Sequence, residues 1–276
     1  MSLLGAVLAA VAYGLATVVQ AIGIRRLAAL DRPRRARAVM QAGWPYAAGL
    51  ALDGLGFLAS VAALRRLPLF LVQSAVAAGV AVTAVAGVAV LGHHLTTREW
   101  FAVGGVVGGL ALLAVTAVEG PASPPGAWFE VGLWLALALV VALLAWGLRR
   151  RGRLDAVAVL ATCAGLGFGI VGVAARTLPD AGSLGRLLTD PRLWLLLVAG
   201  AVGTVAYAAA LERGSVTSVA AVCFSVETLL PATVGLVWLG DGVRPGWYGP
   251  AVVGFALALA GCLTLARRAE PGGPPV

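Results

Sequence analysis

The chain has 276 residues, of which 61% are hydrophobic and only 12% charged, and its net charge is +8. A soluble domain carries about 25% charged residues, so a water-solvated globule is excluded and the bilayer is the solvent that fits. The basic balance does not imply nucleic acid, because all 20 basic residues are Arg set in short clusters between apolar stretches, where they orient a membrane protein.

A membrane helix needs about 20 mostly apolar residues. Nine stretches qualify, at roughly 2–24, 42–63, 68–91, 100–118, 127–148, 154–176, 193–212, 215–239 and 247–266. In the first, Tyr13, Thr17 and Gln20 share a face. No basic residue precedes its apolar run, and Arg25 and Arg26 follow it, so a retained helix is expected rather than a signal peptide. The 25–41 loop comes next; with the 177–192 segment it is among the longest connections. In helix two, Tyr46, Gly49, Asp53, Gly56 and Ser60 recur at intervals of three and four. That polar and small stripe should meet the bundle and not lipid. A carboxylate at mid-membrane costs about 2.5–3.5 kcal/mol on insertion scales. Asp53 is therefore a candidate for binding a cation or proton in a cavity, with a structural bond to a neighbouring helix as the competing reading. Helix three offers Thr83 and Gly87 on one face, with Gln73 less well aligned. His93 and His94 follow in a loop without a carboxylate or thiol at ligand spacing. Gly104/Gly108 and Gly105/Gly109 predict close helix packing in helix four.

Further along, Gly167-Phe168-Gly169-Ile170-Val171-Gly172 spells the dinucleotide fingerprint. It lies mid-helix, without the strand and turn that mechanism needs, and is expected to be packing. Helix seven carries Thr204 and Tyr207. Helix eight carries Glu227 four residues before Pro231. Pro231 has no N–H, so the Glu227 carbonyl loses its helical partner and a helix break is expected beside a carboxylate. Broken helices of this kind build substrate sites in transporters, and a plain packing kink is the alternative. Cys163, Cys223 and Cys262 read as small apolar helix residues. The Pro- and Gly-rich tail after Arg267 is expected to be disordered.

Nine crossings put alternate loops on opposite sides. One side holds fourteen Arg, in the 25–41, 92–99 and 149–153 loops, the turn at Arg213 and the tail. The other holds six: Arg65, Arg66, Arg176, Arg186, Arg192 and Arg244. The richer side should be cytoplasmic, leaving the amino terminus outside, in a multi-pass protein of the cell membrane.

Two segments resemble each other about 147 residues apart. Ala63-Leu64-Arg65-Arg66, Leu91-Gly92-His93 and Trp100 correspond to Ala210-Leu211-Glu212-Arg213, Leu239-Gly240-Asp241 and Trp247. The expected fold is an all-α polytopic bundle of two four-helix repeats, 1–118 and 154–267, joined by a linker at 119–153 and ending in the 268–276 tail. One extra crossing inverts the second repeat, a layout many secondary carriers use to expose one mid-membrane site alternately.

Ala206-Tyr207-Ala208-Ala209-Ala210-Leu211-Glu212-Arg213-Gly214, then Ser225-Val226-Glu227, Pro231 and Leu239-Gly240-Asp241, resemble the EamA-type domain of the drug/metabolite transporter superfamily. Asp241 stands where that family usually has Glu. Gly249, Gly254 and Gly261 fit its Gly-rich last helix. The layout is similar to the NIPA-like branch, whose Gly-Glu-x-x-Asn-Phe motif has Leu52-Asp53-Gly54-Leu55-Gly56-Phe57 in its place, with Gly56 where that motif has Asn. In place of that branch's polar Asn-rich seventh helix stand Ala206 to Ala210. The superfamily resemblance implies transport, and the NIPA-like one implies magnesium.

The expected function is a secondary carrier of a small metabolite, a drug-like compound or a cation. The substrate-binding candidates are Asp53, Glu227, Tyr13, Gln20, Gln73 and Tyr207, with Asp53 and Glu227 as ligands if the cargo is a divalent ion. A non-transporting scaffold subunit is the rival from another class. No P-loop and no nucleophile–base pair is present, so neither a cofactor nor an enzyme is expected. The expected partners are the lipid bilayer and the substrate, with no nucleic acid and a homodimer left open.

Overall fold

A computed structural model describes residues 2–28, 36–91, 95–123, 126–150, 154–179, 184–214 and 216–266. The elements in order are α1 (Ser2–Ala28), α2 (Ala36–Leu64), α3 (Leu69–Ala77), α4 (Gly79–Leu91), α5 (Thr97–Thr116) and β1 (Ala117–Val118). They continue with α6 (Ala127–Arg149), α7 (Leu154–Thr177), α8 (Leu184–Thr189), α9 (Pro191–Leu211), α10 (Val216–Trp238), β2 (Gly242–Val243) and α11 (Tyr248–Ala266). Among the described residues, nine segments are long and apolar enough to cross a membrane, with α3 and α4 together forming the third. The protein is a polytopic helical bundle.

Local chemistry sets several helix ends. At the start of α5, Glu99 accepts from the Thr96 N–H at 2.7 Å while the Thr96 hydroxyl accepts from the Glu99 N–H at 3.4 Å, a capping box. Asp190 accepts from the Arg192 N–H at 2.8 Å, and Pro191 occupies the first turn of α9, where its missing N–H costs nothing. Gly240 and Gly246 adopt positive φ of 71° and 80° in the turns around β2, a region closed to most side chains.

Helix seams are lined by small residues. A Cβ on Gly49 would collide with Ala16 and Gln20 of α1, and one on Gly109 with Gly254 and Ala258 of α11. One on Gly167 would strike Gly203 of α9. Lipid tails are as apolar as Leu, so such close backbone approach, not apolar burial, holds helices together here. Of the glycines expected to pack in α5, Gly109 does so tightly, whereas a Cβ on Gly104 or Gly108 would meet nothing within 4 Å. The fingerprint-like glycines of α7 are packing positions, Gly167 against α9, Gly169 against Leu230 and Pro231 of α10 and Gly172 against Gln73. Of the span residues of α7, 61% are buried, against 22% for α6, which places α7 at the centre and α6 at the rim.

The spans alternate in direction. Gly5 lies beside Ala59 and Ala63, so α1 begins where α2 ends, and Gly23 lies beside Tyr46 at the other end. We call the first end the amino face and the second the far face. Arg192 donates to the Thr177 carbonyl at 2.7 Å on the amino face, and Arg213 to the Gly147 carbonyl at 3.0 Å on the far face. Helix pairing repeats between the halves: α1 packs on α2 and α4, and α7 on α9 and α10, while α5 with α11 and α3 with α10 join the halves. Exposed Trp128, Trp194, Trp238 and Trp247 ring the amino face, and Trp44 and Trp100 the far face, as interfacial belts do.

Three features differ from expectation. The third span is interrupted at Ala78, between α3 and α4. By contrast, α10 runs unbroken through Pro231, so the helix break expected there is absent. The 177–192 segment contains α8, and β1 pairs antiparallel with β2, Ala117 opposite Val243, both unforeseen. His93, His94, the tail from Arg267 and the loop arginines Arg32, Arg34, Arg35, Arg151 and Arg153 lie outside the described residues.

Candidate functional site

Two cavities among the described residues lie within the bundle. The larger, about 650 Å³, is lined by Tyr13, Thr17 and Ala21 of α1, Thr83 and Gly87 of α4, Tyr207, Ala220, Thr228 and Ala266 among others. From its floor these residues lead toward the far face. The second, about 480 Å³, is lined by Phe57, Ser60 and Leu64 of α2, Val72 of α3, Phe168 and Ala175 of α7, and Leu196 and Thr204 of α9. These lead toward the amino face. Five residues line both: Tyr13, Gln73, Val76, Phe224 and Glu227. They form a partition midway through the bundle, between two spaces that point to opposite ends.

Glu227 is the acid of that partition. It sits midway along α10 and is half-buried. Among the described residues its carboxylate has no hydrogen-bond or ion-pair partner, so its charge is available to whatever enters. Most hydroxyls nearby are committed to backbone. Thr17 donates to the Tyr13 carbonyl at 3.0 Å, Thr83 to the Gly79 carbonyl at 3.0 Å and the Gly14 carbonyl at 3.1 Å, and Thr228 to the Phe224 carbonyl at 2.5 Å. The side chains left to meet a solute are the Glu227 carboxylate, the Gln73 amide, and the rings of Tyr13, Tyr207 and Phe224. Gln73 lies against Gly172, where any larger residue would displace its amide.

The interruption at Ala78 adjoins this partition, with Gln73 and Val76 before it and Val80 and Thr83 after it. It leaves the Ala77 carbonyl beyond the helical ladder, and the Cys262 thiol donates to it at 3.3 Å. Cys262 thus does more than fill apolar space, whereas Cys163 and Cys223 are buried free thiols.

The structure divides the expected site. Tyr13, Gln73, Tyr207 and Glu227 come together. Asp53 and Gln20 do not join them: the Gln20 amide donates to the Asp53 carboxylate at 2.5 Å across the α1–α2 seam, and neither residue lines either cavity. The reason is the face of α1 each residue occupies. The α2 stripe meets the bundle at α1, as expected, and Gln20 is turned toward that stripe, whereas Thr17, Val18 and Ala21 at the same height of α1 line the larger cavity. Phe224 and Val76 were missed, because an apolar residue in a membrane helix carries no mark of facing a cavity, while Ser60 of the α2 stripe lines the second cavity.

Arg176 and Asp241 were also unforeseen as a pair. They form an ion pair at 2.7 Å, with side chains 2% and 0% exposed. The other Asp241 oxygen accepts from the Leu69 N–H at 2.6 Å, and Arg176 donates to the Leu64 and Gly120 carbonyls. Asp241 is the acid of the Leu-Gly-Asp motif. Arg176 closes the last turn of α7, buried, and not in a solvated loop. No family model, no curated protein and no solved structure matches the chain at significant similarity.

Proposed function

We propose that the protein is a secondary carrier that moves a small organic cation across the cell membrane by alternating access, in the manner of the drug/metabolite transporter superfamily. The observation that carries the reading is the pair of cavities that approach mid-membrane from opposite faces and share one partition containing Glu227. A scaffold subunit has no use for such a pair. The chemistry of the partition favours a solute with one positive charge and an apolar body. A carboxylate balances the charge in a low-dielectric site, and aromatic faces attract a cation through their quadrupoles. A magnesium-type site is favoured less. Mg²⁺ keeps several waters and asks for oxygen ligands, but this lining is mostly Val, Ala and Gly, and Asp53 is held elsewhere by Gln20. The far face, with its excess of Arg, is the cytoplasmic one in this proposal.

The test is ligand-induced thermal stabilisation of the purified protein, followed by uptake into proteoliposomes. A ligand present at about 100 times its Kd stabilises by about 2.7 kcal/mol. Tetraphenylphosphonium or a quaternary amine is expected to stabilise the wild type and to be taken up, and Glu227→Gln to abolish both effects. Stabilisation by Mg²⁺ instead would move the cargo to divalent ions. No stabilisation by either, with a partner protein retained through purification, would favour the scaffold.

A further inference from the structure

The buried Arg176–Asp241 pair is not used by the proposed carrier's binding site, and its surroundings give it a different role. It knots five segments at the amino face: the end of α2 through the Leu64 carbonyl, the start of α3 through the Leu69 N–H, the Gly120 carbonyl after β1, the last turn of α7, and the turn after α10. Two of these belong to the first half and two to the second, and the Gly120 segment joins them. Backbone bonds extend the knot. The Gly120 N–H donates to the Arg66 carbonyl at 2.8 Å, Ser123 to Leu239 at 2.8 Å and Arg244 to Thr116 at 2.9 Å, beside the β1–β2 pair. The knot roofs the second cavity, since Leu64, which accepts from Arg176, and Ala175, its neighbour, both line that cavity.

Energetics distinguish a latch from a strut. Removing two charges from water costs several kcal/mol each, and a well-packed apolar pair of similar volume would hold two helices at least as well. An ion pair has something an apolar pair lacks, which is a second low-energy state in which both charges are hydrated. Arg176 is moreover imperfectly satisfied: its Nε is buried without a partner, the single such side-chain atom among the described residues. Opening would return that group to water.

Resting on the carrier reading above, we propose that the Arg176–Asp241 cluster is the gate at the amino face, closed in this structure and opened when the two halves part and water enters the second cavity. Asp241 is its keystone, because one carboxylate holds both the α7 guanidinium and the free N–H at the start of α3.

The experiment reads opening directly. Ser60→Cys, on the wall of the second cavity, is placed in a background without Cys163, Cys223 and Cys262, and sealed vesicles are treated with a membrane-impermeant methanethiosulfonate. Pro121→Cys, exposed on the amino face, reports which side the reagent has reached. Asp241→Asn and Arg176→Gln are each expected to raise the Ser60→Cys labelling rate from the amino face by about tenfold or more, as a shift in a two-state equilibrium. The double variant is expected to add little, since both break one contact. An unchanged rate in folded variants would overturn the gate and leave the pair a structural anchor. If the variants do not fold, hydrogen exchange on the wild type decides. A gate requires segments 116–123 and 239–244 to exchange together and faster than the interior of α7, whereas protection equal to that core overturns it. Labelling reports opening whether or not solute moves, so a failed carrier reading would appear separately, as absent uptake.

Discussion

Two acids within membrane helices carry different burdens here. Glu227 faces cavity space without a partner among the described residues, and Asp53 is held by Gln20 at 2.5 Å. Glu227→Gln is therefore expected to lower organic-cation uptake by more than about tenfold, a loss exceeding about 1.4 kcal/mol. Asp53→Asn is expected to leave uptake nearly intact, since Asn can still accept from Gln20. Side-by-side uptake at matched membrane expression checks both, and equal losses would return Asp53 to the site. Tyr207→Ala should weaken cation binding by roughly 0.5–2 kcal/mol, and Tyr207→Phe by much less, because the ring face and not the hydroxyl is the attractive part; a thermal-shift titration measures it. Much of this was readable in sequence. Charge and polarity in an apolar helix are conspicuous, so Glu227, Gln73, Tyr13 and Tyr207 stood out before any geometry. Which of two conspicuous acids meets a cavity was not readable, because it depends on how the helices are turned against one another: Asp53 is turned into the α1–α2 seam and Glu227 toward the cavities.

Helices here are joined by contact between backbones, so glycines at seams and glycines facing lipid differ sharply in consequence. Gly109→Ala drives a Cβ into the Gly254 carbonyl and should cost about 1–3 kcal/mol, as overpacking does. Gly104→Ala enters open space and should change stability by no more than about 0.5 kcal/mol. Thermal midpoints in one detergent compare them, and similar shifts would mean the α5–α11 seam is looser than described. The nine spans were evident from hydropathy because a membrane demands about 20 apolar residues per crossing. The discontinuity was not. Proline at 231 advertises a break, yet α10 continues, since membrane helices tolerate proline where neighbours re-satisfy the freed groups. The actual interruption falls at Ala78, which nothing in the chain marks. It is set by packing, with Gly79 pressed against the Ala10 carbonyl and Tyr13, and the Cys262 thiol donating to the Ala77 carbonyl.

For the whole molecule, an odd number of crossings places Ser2 and Ala266 on opposite faces. With the far face cytoplasmic, Pro121→Cys should react with an impermeant thiol reagent added to intact cells, and a fluorescent protein fused after Val276 should fold and glow inside. The reverse pattern would invert the assignment. Repeat spacing of about 147 residues anticipated corresponding partners in the two halves, and the pairing of α1 with α2 and of α7 with α9 follows it. The correspondence stops at the acid, for Glu227 in α10 has no counterpart at the α3–α4 interruption. That asymmetry has an electrical meaning. A carrier with one carboxylate at its centre is neutral when loaded with a monovalent cation and anionic when empty, so voltage acts on the return stroke and not on the loaded one. A full charge crossing the membrane is worth about 2.3 kcal/mol per 100 mV, and an inside-negative potential would hold the empty carboxylate facing outward. Uptake into vesicles clamped at different potentials should then change with voltage in net transport but not in exchange of loaded forms, whereas indifference in both would mean that a proton rides back on Glu227.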